Sequence, residues 1–182
     1  LLRAGLPVPG GFHITTAAYR QFVAENNLQT KLLDILATAD PTQPSTLENA
    51  SQRINDLFVT SPIPAEVADA IQAAYARLSG VDPTVAVRSS ATAEDLPDLS
   101  FAGQQETFLN IAGLQSVHAA VRRCWASLWT ARAIAYRLQH KVDQNAVALA
   151  VVVQLLIDAE SAGILFTANP MNGRRDEMLI NA

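Results

Sequence analysis

Cysteine is all but missing from this chain: Cys124 is the single one in 182 residues. No disulfide framework and no cysteine-rich metal site can therefore form within it. Cys124 sits beside Trp125 in a helical pattern, a setting that suits a buried, inert thiol rather than a nucleophile. Aromatic residues make up only 6% of the chain, and much of its 49% hydrophobic content is alanine. That balance favours helices and close packing over a bulky aromatic core. No run of Lys or Arg forms a basic patch, and the net charge of −4 argues against a sequence-independent hold on DNA or RNA. The longest apolar run, residues 146–157, is too short to span a membrane and contains Gln154. Leu1, Leu2 and Arg3 lack the charged start and apolar core of a signal peptide, so a cytoplasmic protein without membrane segments is expected. There is no GxxxxGK(S/T) phosphate loop and no dinucleotide fingerprint. His13, His118 and His140 are far apart and show no metal-ligand spacing, so structural or surface roles are expected for all three.

What the chain does contain is helix-rich first and strand-rich later. Leu6-Pro7-Val8-Pro9-Gly10-Gly11 is a stiff extended segment that ends in flexibility. A short strand over Phe12 to Thr15 precedes a helix, capped by Thr15 or Thr16, that runs to about Asn26 with Tyr19, Phe22 and Val23 on one face. Further helices are expected over Thr30 to Ala39, from a capping box at Ser45-Thr46-Leu47-Glu48 to about Val59, and from Pro64 to about Leu78. One long helix is expected from Ser116 to His140, followed by strands over Ala146 to Ile157, Ala162 to Thr167 and Glu177 to Asn181. The fold class is therefore α+β, a helix-rich first part (residues 1–83) and a sheet-containing second (84–182), with a largely antiparallel sheet against a long helix. The chain does not begin with Met and its end reads as the middle of a strand, so it is expected to be a piece of a longer protein.

The segment Val85 to Ile111, VAVRSSATAEDLPDLSFAGQQETFLNI, carries the most chemistry. An apolar strand delivers Arg88 at its end, and a run of small and hydroxylated residues follows. An arginine is always charged and presents a planar fork of donors that matches phosphate oxygens. The alternative is a surface arginine paired with Glu94 or Asp95. Gly103 permits either a plain turn or the close approach of a ligand to backbone N–H groups. Thr107 offers a hydroxyl to a phosphate or is an ordinary strand residue. Gln154 interrupts an apolar strand, so its amide needs partners. The edge of a purine ring is one candidate, and a half-exposed position under period-two alternation is the other. Glu94, Asp95 and Asp98 suggest a carboxylate cluster for Mg²⁺, yet their loop setting beside Arg88 suits solvated or salt-bridged roles better.

These segments resemble a known family. VAVRSSATAEDLPDLSFAGQQETFLNI is similar to the signature of the ATP-binding domain of phosphoenolpyruvate synthases and rifampicin phosphotransferases, the pyruvate, phosphate dikinase N-terminal type. AGLPVPGGFHITTAAYRQF, CWASLWTARAIAYR, VVVQ and GILFTANPMNGRRDEMLINA resemble its other segments in the same order, and together they cover essentially the whole chain. The resemblance implies a partial ATP-grasp-like nucleotide-binding domain. It implies ATP contacts from Arg88 to phosphate, from Gly103 through its backbone, from Thr107 through its hydroxyl and from Gln154 on the nucleotide. It implies an enzyme that moves a phosphoryl group from ATP through a histidine on a separate swivelling domain to pyruvate, or to a rifamycin hydroxyl in the antibiotic-modifying branch. The family's glycine-lysine-glycine element, its Glu and Gln residues for Mg²⁺ and its histidine domain have no counterpart among these 182 residues. No catalytic residue and no metal ligand is therefore expected here, and by itself the chain is expected to be inactive. A non-catalytic nucleotide-binding module is the reading from outside the enzymes.

Overall fold

The computed structural model describes residues 2–78, 80–91 and 106–181. A four-stranded sheet is backed by helices. Its strands are β1 (Gly11–Ile14), β2 (Val85–Ala91), β3 (Thr107–Ile111) and β4 (Leu149–Leu155), in the order β1-β4-β2-β3, and every pairing is antiparallel. A separate two-stranded antiparallel ribbon joins β5 (Ile164–Phe166) to β6 (Leu179–Asn181). The α+β expectation and the antiparallel sheet are both found.

The helices are α1 (Thr16–Glu25), α2 (Leu28–Leu36), α3 (Pro44–Thr60), α4 (Ala65–Tyr75), α5 (Leu114–Ser127) and α6 (Ala131–Gln139). Each buries a stripe at helical spacing, such as Leu47, Ala50, Ile54 and Phe58 on α3 and Val117, Val121, Cys124 and Trp125 on α5. The stripes of α1, α4 and α5 meet the inner face of the sheet, where Val85, Val87, Val151 and Val153 are fully buried, and α2, α3 and α6 pack on other helices. Tyr19, Phe22, Phe58 and Trp125 form one ring cluster, with centroids 4.8 Å apart for Phe22–Trp125 and 5.4 Å for Phe22–Phe58. The chain has few aromatic residues, but it concentrates them where the helices cross.

Three expectations need correction. The long helix over Ser116 to His140 is two helices, broken after Leu128: Thr130 takes the N-cap position of α6 and its hydroxyl accepts from the Ala133 N–H at 3.3 Å. Apolar periodicity continues across the break, which is why the pattern concealed it. The capping box at Ser45-Thr46-Leu47-Glu48 does not form. The helix begins at Pro44, and the Thr46 hydroxyl is engaged with the Asp40 backbone, accepting from its N–H at 2.9 Å. Thr15 occupies the cap position of α1, but its side chain makes no capping bond.

Two local devices hold the layers together. Asn27 adopts the left-handed conformation (φ 53°) between α1 and α2, a position that asparagine tolerates better than most residues. The Tyr75 hydroxyl donates to the Pro83 carbonyl at 2.8 Å and accepts from the Gly113 N–H at 3.0 Å, tying the end of α4 to the approach of β2 and the start of α5. Tyr75→Phe leaves both backbone groups short of a partner. It is expected to cost about 1–3 kcal/mol of stability, seen as a lower denaturation midpoint by fluorescence of the buried Trp125 and Trp129.

Candidate functional site

Strand alternation decides which side chains face outward. Residues paired directly across an antiparallel ladder share a face, and neighbours along a strand alternate. Arg88 pairs with Thr107 on β3 and with Val152 on β4. Gln154 pairs with Ala86 on β2 and Gly11 on β1. Arg88, Thr107 and Gln154 therefore project from the same face of the sheet, the one opposite the buried valines. Arg88 and Thr107 are exposed and Gln154 is half-buried. Ala86 and Val152 lie between them, Gly11 beside Gln154 and Ala150 beyond Val152, so the floor of this face is shallow.

Among the described residues the Arg88 guanidinium has no hydrogen-bond or ion-pair partner. Glu94 and Asp95, its alternative partners, lie outside the described residues. So does Gly103, the fourth expected site residue. The Gln154 amide has one partner: Nε2 donates to the Pro9 carbonyl at 3.2 Å. A carbonyl can only accept, so this contact orients the amide and leaves Oε1 as an acceptor without a donor among the described residues. Gly11 permits the close packing at this end. A Cβ there would lie 2.5 Å from the Val153 carbonyl oxygen and 3.0 Å from Gln154 Cα.

Sequence reasoning missed the role of Ser89, whose side chain points to the buried face. Its hydroxyl accepts from the Glu106 N–H at 2.9 Å and also lies 3.3 Å from the Glu106 carbonyl, which the Ser89 N–H bonds at 3.0 Å. Glu106 immediately precedes Thr107, so this clamp sets where β3 begins and holds Thr107 opposite Arg88. The only signal for it in the sequence was a serine in the buried phase of an alternating strand.

Other candidates are quieter. Cys124 is fully buried, and desolvation followed by the nearby Glu106 carboxylate pushes its thiol up to about 12. His118 is held below the usual imidazole value, first by burial and then by Arg122. His140 bonds the Tyr136 carbonyl through Nδ1 at 2.8 Å and stacks on the Tyr136 ring. Among the described residues no group of three His, Cys, Asp or Glu side chains could hold a metal ion, and no helix is long and apolar enough to cross a membrane.

Comparison with known proteins gives a consistent result. The family model described as "Pyruvate phosphate dikinase, AMP/ATP-binding domain" matches residues 1–182. The chain is 48% identical to a probable phosphoenolpyruvate synthase of Methanocaldococcus jannaschii over 98% of its own length and 15% of that protein's. It is 45% identical to the phosphoenolpyruvate synthase of Aeropyrum pernix, over 100% of this chain and 23% of that one. It is 44% identical to a rifampicin phosphotransferase of a Streptomyces species, over 98% of this chain and 20% of that one. The chain thus spans less than a third of the length of each of these relatives.

Two outcomes follow from this geometry. Gly11→Ala forces β1 away from β4 and is expected to destabilise the fold by about 1–3 kcal/mol, measured by denaturant titration. The Cys124 thiol is expected to ignore Ellman's reagent at pH 8 in the folded protein and to react at once when unfolded. Because its folded pKa is raised, its contribution to stability is intact below the ordinary thiol value and is lost as pH climbs from there towards 12.

Proposed function

Because the chain belongs to the pyruvate phosphate dikinase AMP/ATP-binding domain family, we propose that the open face of its four-stranded sheet is one wall of an ATP site. The observation that carries this reading is the register that sets Arg88 directly beside Thr107, with Gln154 on the same face. A guanidinium and a hydroxyl side by side match the oxygens of a phosphate group. Gln154 presents a fixed acceptor, Oε1, which suits the exocyclic amino group of adenine and opposes the carbonyl of guanine. Gly103 supplies a backbone N–H to the phosphates from the segment between β2 and β3.

In this reading the domain is ATP-grasp-like and closes on ATP with a second lobe. In the same reading Mg²⁺ is held by the Glu and Gln residues that the family supplies outside these 182 residues. The full-length protein is a cytoplasmic phosphoenolpyruvate synthase-like phosphotransferase. ATP phosphorylates a histidine on a swivelling domain, and the phosphohistidine then passes the group to pyruvate. This chain's part is to position the phosphates and offset charge developing on them, which is the main contribution a protein makes to phosphoryl transfer. The 44% identity to a rifampicin phosphotransferase supports a second reading, in which the acceptor is a rifamycin hydroxyl.

The full-length protein, incubated with Mg-ATP and either pyruvate or rifampicin, is expected to consume ATP with pyruvate and form phosphoenolpyruvate. Phosphorylated rifampicin in its place selects the second reading, and turnover of neither acceptor rejects both. Arg88→Ala is expected to slow phosphohistidine formation by about tenfold or more, on the scale of one lost charged phosphate contact. An unchanged rate would remove Arg88 from the site.

A further inference from the structure

We propose that His13 is a nucleotide-contacting residue of the same face, stacking its imidazole against the purine ring. The inference rests on the nucleotide reading above and extends it to the far side of β4.

The register places His13 opposite Val152, and Val152 opposite Arg88, which pairs in turn with Thr107. One cross-strand row on the open face therefore reads His13, Val152, Arg88, Thr107. With strands about 4.8 Å apart, His13 and Arg88 stand roughly 10 Å from one another across β4. Gln154 lies two residues along β4 from Val152 and is a diagonal neighbour of both. A nucleotide that reaches from Arg88 to Gln154 thus has its base beside His13, while its phosphates lie on the Arg88 and Thr107 side.

The surroundings suit a flat ring. The row next to His13 begins at Gly11, which has no side chain, and the floor between is Val152 and Ala86. His13 is exposed and makes no hydrogen bond or ring contact with any described residue, so its imidazole faces are open. Stacking needs only a π-face on each partner, and removing one stacked ring typically weakens binding by about tenfold.

The test uses calorimetry on the full-length protein with two probes, ATP and inorganic tripolyphosphate, the latter carrying phosphates but no base. His13→Ala is expected to weaken ATP about tenfold and to leave tripolyphosphate as in the unaltered protein. His13→Phe, which keeps a ring but no ring nitrogen, is expected to bind ATP within about threefold of the unaltered protein. Arg88→Ala serves as the reference and should weaken both probes. The inference is overturned if His13→Ala binds ATP normally, if it loses both probes equally, or if His13→Phe loses as much as His13→Ala. If Arg88→Ala changes neither probe, the nucleotide face itself is refuted, and the two failures are thereby told apart.

Discussion

The constraint on which the rest depends is the phase of alternation along β2 and β4. Val85, Val87, Val151 and Val153 are fully buried, and the residues between them face the other way. A slip of one residue would drive Arg88 and Gln154 into the helix-backed core and turn four valines outward, at a cost no single polar contact could offset. The same hydrophobic force that closes the fold therefore aligns the three polar side chains of the candidate site.

A second tie binds the early helices to the later ones. Arg137 is fully buried, stacks over Trp129 at 4.7 Å, and donates to the Leu128 carbonyl at 2.8 Å and to Gln144 at 2.9 Å. The Trp129 indole N–H in turn donates to the Tyr19 hydroxyl at 3.0 Å. Burial lowers the guanidinium to about 10 and raises the Tyr19 phenol. No described carboxylate accompanies the arginine, so its charge is balanced by carbonyl dipoles and a ring face. The arrangement spends a cation on fixing where α6 leaves α5 and meets α1, and it anchors the break after Leu128.

Much of this was legible in the sequence. Alternating or continuous apolar runs located β2, β3 and β4, and helical spacing located α1 to α4 within a few residues. Arg88, Thr107 and Gln154 could be singled out by chemistry, because each is a polar group in a setting that calls for an explanation. Their assembly was not legible. It depends on pairings such as Gly11 with Gln154, which are remote in the chain, and only the folded sheet reveals them. His13 looked like an ordinary surface residue because nothing local marks it; its place in the row with Arg88 comes entirely from the partner strand. The break before α6 was hidden because no glycine or proline announces it. The capping box failed because the helix starts earlier, at Pro44 with Gln43 in the cap position, which places Ser45 inside the helix.

The ribbon formed by β5 and β6 leads in another direction. Ile164, Leu165, Phe166, Leu179 and Ile180 are all 41–67% exposed, and they occupy both faces of a two-stranded unit. Such a unit is marginal in water by itself and presents free backbone edges as well as greasy faces. For anyone preparing this domain in isolation, the ribbon is the place where molecules would adhere to one another. Its handling in concentrated solution would be governed by these few residues.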